Sequence, residues 1–180
     1  MNSFREVYQA DLKRYGNGKV DPYMKKWLYC FRRCQNSTGG GRFLWHRILL
    51  AYSERHAIEV DYPVEIGPGL YIGHAYGITI NDKARIGRNC NIHKGVTIGQ
   101  ENRGERKGVP TIGNNVWIGV QATVVGNITI GDDVLIAPNT YLNRDVPSHS
   151  IAIGNPARII SREHATADYI ANAFGVNEND

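Results

Sequence analysis

An all-β fold is predicted for this chain: a parallel β-helix with a small α-helical module before it and a short helix or tail after it. Three observations predict it, namely a six-residue aliphatic repeat, two breaks in that repeat, and a basic, helix-patterned segment ahead of it. Between Ile66 and Leu142 the aliphatic anchors fall in three runs: Ile66, Ile72 and Ile78; Ile86, Ile92 and Ile98; and Ile112, Ile118, Val124, Ile130, Ile136 and Leu142. A period of six matches neither the roughly 3.6 of an amphipathic helix nor the roughly 2 of a half-buried strand, so the repeat takes precedence over local propensity. Each repeat of such a solenoid supplies one short strand and one turn, and its anchor points into a shared core. The glycines that often follow the anchors relieve crowding where the backbone bends. Three repeats close one triangular coil of about 18 residues.

Each break carries its own information. From Ile78 to Ile86 the step is eight, and because Ile80 also lies six before Ile86, the chain shifts phase by two residues there. From Ile98 to Ile112 the step is fourteen, and the gap holds the polar, charged, Gly-rich GQENRGERKGVPT. That composition predicts a loop thrown out of the coil over residues 99–111, and loops on rigid scaffolds are where sites are commonly built.

The helical module is expected over residues 1–57, in three segments separated by Gly, Asn and Pro signals: FREVYQADLKRY, PYMKKWLYCFRRC and GRFLWHRILLAYSERHA. It holds eleven Lys/Arg against four Asp/Glu, whereas residues 58–180 hold ten against thirteen, so the net charge of +4 belongs to the module. KKWLYCFRRC interleaves aromatic and basic residues, which fits a solvated basic face, or contact with a membrane surface or an anionic acceptor. No recognised motif points to nucleic acid. The β-helix is assigned to residues 58–160 and the tail to 161–180, with SREHATADYIANAF as a candidate last helix and GVNEND frayed. Three cysteines, Cys30, Cys34 and Cys90, cannot all pair within the chain. With no apolar membrane span and no signal-peptide pattern, they point to a cytoplasmic protein. Cys30 and Cys34 read as small buried side chains of a helix rather than as metal or redox groups.

The segments GPGLYIGHAYGITINDKARIG, NIHKGVTIGQ, PTIGNNVWIG and DVPSHSIAIGNPARII stand in an order that resembles the serine acetyltransferases, over roughly residues 58–160. The resemblance implies a left-handed coil, a hand the period alone does not determine. It implies acetyl-CoA as donor and a homotrimer with active sites between subunits, and no metal. His74 falls at the family's catalytic histidine, a base that takes the proton of an acceptor hydroxyl as it attacks the thioester, and imidazole titrates in the range this needs. Glu59 falls at the acidic partner of that histidine, with nearby Asp61 as a substitute. For acetyl-CoA the resemblance points to Gly99, Gly119, Val120 and Pro138 along the pantetheine arm and to Arg144 and Arg158 at the phosphates, where the guanidinium fork suits the oxygens. For Arg144 and Arg158 a role in closing the last turns stays open, as does a turn role for the two glycines.

His93 comes from the repeat itself. Ile72 and Ile92 are three repeats apart once the two-residue shift is allowed, which sets His74 and His93 on neighbouring coils, near enough to share a pocket. The serine acetyltransferases do not use a histidine there. Other departures bear on the acceptor: the family's Asp before the catalytic histidine is Gly73, and the Arg-His pair of its loop is Gly108-Val109. The shorter layout resembles the O-acetyltransferases of surface polysaccharide pathways. The expected function is therefore acetyl transfer to a sugar hydroxyl by direct general-base catalysis, with a serine O-acetyltransferase of cysteine biosynthesis as the alternative. A zinc carbonic anhydrase-like β-helix, which needs about three protein ligands, and a noncatalytic β-helix stand behind these.

Overall fold

The structure, a computed structural model, describes residues 3–16 and 20–175. From Glu59 the chain winds as a left-handed parallel β-helix whose strands fall into three sheets. Sheet one stacks Val60, Ile80, Ile98, Val124 and Leu142 in register. Sheet two stacks Ile66, Ile86, Ile112 and Ile130, with Val146 bridged beyond them. Sheet three stacks Ile72, Ile92, Ile118, Ile136 and Ala152. Five coils result.

Each coil buries more than its anchors. The residue two before an anchor also points inward, because side chains alternate along a strand; Ile58, Val64, Leu70, Ala84, Cys90, Val96, Val116, Ala122, Ile128 and Val134 fill these sites. Ile78 is one of them. The anchor that follows Ile72 is Ile80, which pairs with Val60 and Ile98, so the eight-residue step runs from Ile72 to Ile80. The phase shift is thus placed earlier than the anchor spacing implied, inside the turn Gly73–Gly77, because both Ile78 and Ile80 are apolar and only strand pairing tells them apart. The first coil likewise begins at Val60, one repeat ahead of the run visible in the sequence.

Along the prism edge between sheets two and three, Gly69, Asn89, Asn115, Asp133 and His149 all adopt left-handed backbone (φ 82, 56, 52, 54 and 56°). Asn and Asp tolerate that region better than most residues. Each coil hangs on the one before: the N–H groups of Asn89, Asn115, Asp133 and His149 donate to the carbonyls of Pro68, Arg88, Asn114 and Asp132 at 2.9–3.0 Å. Side chains repeat the stitching, as Asn114 Oδ1 accepts from Arg88 N at 3.0 Å and Asp132 Oδ1 from Asn114 N at 2.6 Å. The edge between sheets three and one carries the His74 turn.

The module consists of α1 (Phe4–Lys13), α2 (Pro22–Asn36) and α3 (Gly39–Glu54). Ser3 and Glu6 close a capping box on α1, and Asp21 caps α2 just ahead of Pro22. The helices share one apolar core with the solenoid through Trp27, Leu28, Phe31 and Leu49. A buried ion pair locks the junction: Arg32 Nε donates to Asp11 Oδ2 at 2.7 Å, and the other guanidinium nitrogens reach the Ile66 and Gly67 carbonyls. Asp11 in turn accepts from the Gly69 and Leu70 N–H groups of the first coil. Arg33 lies over the rings of Phe4, Tyr29 and Trp45. Two of the cations in KKWLYCFRRC are therefore used internally, while Lys25 and Lys26 face solvent. Cys30 and Cys34 are free and buried.

At the end of the fifth coil, Ser150–Ile153 pairs antiparallel with Arg158–Ser161, and the chain then runs in turns rather than in a last helix. Its backbone groups are captured one by one from the solenoid: Asp133 accepts from Ala165 N and Thr166 N, Asn91 donates to Tyr169 O, and Asn89 exchanges two bonds with Phe174. A helix would have to satisfy the same groups internally. Residues 176–180, most of the stretch expected to fray, lie outside the described residues.

Candidate active site

Two inserted residues give His74 its setting. At the other turns between sheets three and one the flanking anchors are six apart, as in Ile92 and Ile98, Ile118 and Val124, or Ile136 and Leu142, whereas Ile72 and Ile80 are eight apart. The turn Gly73–Gly77 bulges outward to take up the difference and puts His74 at a left-handed φ of 55° with an exposed side chain. The bulge is tied down by its backbone: Gly77 N donates to His56 O at 2.9 Å, and the Gly73 and Tyr76 carbonyls accept from Lys94 N and Gly95 N. Beside it lies a cavity of about 410 Å³ walled by Asp21, Tyr23, His56, Tyr71 and His74. Burial pushes the Tyr23 phenol up to about 12, and its ring stacks on His56 at 3.5 Å between centroids. His56 Nδ1 is buried without a hydrogen-bond partner among the described residues.

His93 sits one coil further on. Gly73 and His93 are direct strand partners, so His74 is the neighbour of the residue facing His93. The imidazole lies over Gly73: a Cβ at that glycine would meet His93 Cδ2 at 2.6 Å and Nε2 at 2.8 Å. Its Nδ1 is 3.0 Å from the Ile118 carbonyl, which only accepts, so Nδ1 carries the proton and Nε2 the lone pair. Burial above all holds the His93 pKa below its usual value, with His74 adding to the effect against the bond to Ile118. The two histidines are thus close, as the stacking arithmetic predicts, but they do not share one pocket. His93 lines a second cavity of about 450 Å³, and Tyr15 and Tyr71 form the wall common to both.

Glu59 is not joined to His74. It is exposed on sheet one, where Thr79 Oγ1 donates to its Oε2 at 3.3 Å, and among the described residues no hydrogen bond links it to the imidazole. Asp61 instead lies beside His46 Nε2, 3.0 Å from Oδ1. The carboxylate that lines the His74 cavity is Asp21, whose Oδ1 is already occupied in capping α2. Asp21 and His56 escaped sequence reasoning because they belong to the helical module and its junction, where no repeat indexes them against the coil; the signal available was their position just ahead of a Pro-initiated helix and just ahead of the first coil.

The residues expected to hold acetyl-CoA separate into groups. Gly119, Val120 and Pro138 stack on the same edge as His74: a Cβ at Gly119 would stand 2.6 Å from Pro138 N, and Val120 O accepts from Asn139 N. Lys94 O accepts from Gln121 N, and Gly154 O from Tyr141 N, so one ladder of backbone bonds runs along this edge from the His74 turn to the last coil. Arg158 pairs with Ile153 beside Gly154, at the far end of that ladder. Gly99 and Arg144 lie on a different edge, between sheets one and two. The loop between Gly99 and Thr111 leaves from that same edge as a hairpin closed by mutual Glu101–Gly108 backbone bonds, and Arg106 O accepts from Asn127 N on the next coil. Its Arg103 and Arg106 face solvent. Among the described residues no three His, Cys, Asp or Glu side chains gather as a metal site would need, and no helix is long and apolar enough to cross a membrane.

Residues 110–144 match the bacterial transferase hexapeptide (six repeats) family. Beyond that match, the chain is similar to serine acetyltransferases. It is 38% identical over 111 residues to a serine acetyltransferase of Synechococcus elongatus, covering 62% of this chain and 46% of that protein. It is 39% identical over 106 residues to one of Helicobacter pylori, covering 59% and 62%. The aligned part thus spans about half to three fifths of these relatives. Soybean serine acetyltransferase superposes with a TM-score of 0.71 at 28% identity, over 88% of this chain and 69% of that one. The Neisseria gonorrhoeae enzyme gives 0.70 at 26%, over 89% and 66%.

Proposed function

We propose that the protein is an acetyl-CoA-dependent O-acetyltransferase that works by direct transfer, with His74 as the general base. One observation carries the reading: among the described residues, the one turn of its edge that the chain enlarges holds His74, the residue the sequence resemblance puts at the family's catalytic position. The acceptor oxygen attacks the thioester carbonyl carbon while His74 takes its proton; the C–S bond then breaks, and the departing CoA thiolate receives a proton in turn. A positioned base of this kind supplies roughly 10²- to 10⁴-fold. Gly119, Val120 and Pro138 offer close backbone approach for the pantetheine arm on the same edge, and Arg158 offers a phosphate contact at its end. A homotrimer of cytoplasmic subunits is the expected assembly, with Gly99, Arg144 and the hairpin loop of one chain facing the His74 edge of its neighbour. That arrangement would reunite the two groups of acetyl-CoA residues.

For the acceptor, L-serine is the substrate that the relatives' names carry. A second reading, a sugar hydroxyl in surface polysaccharide biosynthesis, is favoured by Gly73 and by Gly108-Val109, which remove the side chains that in the family hold an amino acid. Glu59 keeps a role as partner of His74 only if its carboxylate turns away from Thr79 when the site is filled. Release of free CoA from acetyl-CoA decides between the readings when L-serine and a panel of monosaccharides are supplied in turn. Turnover with serine alone establishes the first; turnover with a sugar alone establishes the second; no turnover with any hydroxyl, together with no saturable binding of acetyl-CoA, would leave the β-helix a binding or structural module.

A further inference from the structure

We propose that the cavity beside His93 is a binding subsite for a pyranose ring, with His93 Nε2 as its hydrogen-bond acceptor. The purpose assigned to the site rests on the sugar reading of the acceptor; the binding itself does not.

The cavity lies between sheet three, the end of α1 and the C-terminal tail, and its volume of about 450 Å³ suits a single sugar ring. Its walls are aromatic. Tyr15 and Tyr71 lie 4.6 Å apart, His93 and Trp117 4.7 Å, and Trp117 and Tyr169 5.0 Å, in a row along the face of the solenoid. Rings set in such a row present flat, polarizable faces to the C–H faces of a sugar and keep polar edges for its hydroxyls. Arg14 closes the floor, buried and spent on Gly69 O, Asn91 Oδ1 and Ala171 O, so it adds rigidity rather than a free charge. Among the described residues no other Lys or Arg lines the cavity, which disfavours a carboxylate or phosphate ligand and favours a neutral polyol.

Between these aromatic walls, which Asn91 and Asn172 also join, His93 is an oriented polar group. Its Nδ1 is committed to Ile118 O, which leaves Nε2 as an acceptor with no partner among the described residues. The imidazole fits because residue 73 is glycine; any side chain there would collide with it. Gly73 and His93 therefore act as a pair, in which the missing side chain makes the space that the imidazole fills. His93 pairs with Gly73, the residue just before His74, so a ring held at Nε2 sits beside the His74 turn, across the wall of Tyr15 and Tyr71. His93 is in this sense a specificity residue rather than a second base.

Binding of methyl glycosides of common hexoses, observed by ligand NMR on the full chain without acetyl-CoA, tests the site. Saturable binding is expected for at least one, weakened about fivefold to tenfold in His93→Leu and restored in large part by His93→Gln. Gly73→Ala should weaken it as much as His93→Leu does, and add little to it in the double variant, with circular dichroism confirming that each variant folds. Undiminished binding in His93→Leu, or no binding of any glycoside, would overturn the proposal. So would displacement of the glycoside by adenosine, which would give the cavity to the nucleotide end of the donor. Loss of acetyl transfer with glycoside binding intact would instead count against the acetyltransferase reading alone.

Discussion

The two edges that flank sheet three differ in how they treat the repeat. On the edge toward sheet two every coil turns at a left-handed residue, every turn bonds to the next, and Asn114, Asp132 and Ser148 stitch the coils a second time. The helical module closes its first coil through Asp11, Arg14 and Arg32, and the tail covers its far end through Asp133. On the edge toward sheet one the same backbone ladder exists, but two extra residues bulge out of it at His74, whose side chain has no hydrogen-bond partner among the described residues. The difference teaches that regularity is used for stability and irregularity for chemistry: a repeat whose turns are bonded coil to coil offers little to a substrate.

The comparison is sharpest at His74. His74→Ala should lower acetyl-transfer turnover by roughly 10²- to 10⁴-fold while leaving the thermal midpoint in place, because the side chain is exposed. Steady-state kinetics beside a melting curve checks both halves, and a fall in both would place His74 among the structural residues. The converse change belongs to the sealed edge. Asp11→Ala strands Arg32 in the core and should cost about 3–5 kcal/mol in urea unfolding; a loss below about 1 kcal/mol would mean that the junction relaxes around the unpaired guanidinium.

A shorter turn tests the contrast directly. Removing Ala75 and Tyr76 restores the six-residue step between Ile72 and Ile80. Stability should stay within about 1 kcal/mol, since loop closure depends weakly on length, and turnover should vanish. Activity retained after the deletion would show that the bulge is incidental.

The smallest effect concerns the tail. His149 Nδ1 lies 2.9 Å from Asp133 Oδ2, and that bond, ahead of the other influences, holds the His149 pKa above its usual value. Burial pushes the Asp133 carboxyl up, but the hydrogen bonds from Thr166, His149 and Ala165 outweigh it and hold the group below its usual range. The Asp133 contribution is complete above its unfolded value and disappears as pH falls through the lower folded one. The His149 contribution is complete below its unfolded value and disappears as pH rises through the higher folded one. Docking of the tail should therefore be tightest between about pH 4 and 6.5, seen as maximal protection of the Ala165 and Thr166 amides in hydrogen exchange. Protection that keeps rising above that window would exclude His149 from the latch.

How far the sequence could be read depends on which residues a coil contacts. Eleven of the twelve anchors are strand anchors in the structure, and the exception, Ile78, failed because an apolar residue two positions off is also buried. The proximity of His74 and His93 was legible by the same counting. For Glu59 the resemblance supplied a position, whereas the direction of its side chain depends on Thr79 in the next coil. Asp21 and His56 were invisible for want of any index linking the helices to the coil, and the tail read as a helix because its captors, Asn89, Asn91 and Asp133, lie far away in sequence.

The chain by itself thus determined the solenoid, its anchors, the extruded loop and the coil on which each histidine sits. These rest on contacts between residues a fixed number of positions apart, and a fixed spacing is what a sequence displays. Only the tertiary structure decided where the two extra residues lie, which carboxylate reaches the His74 cavity, which nitrogen of His93 is free, and that an aromatic cavity exists beside it. Those depend on elements remote in sequence meeting in space, and no period records where they meet.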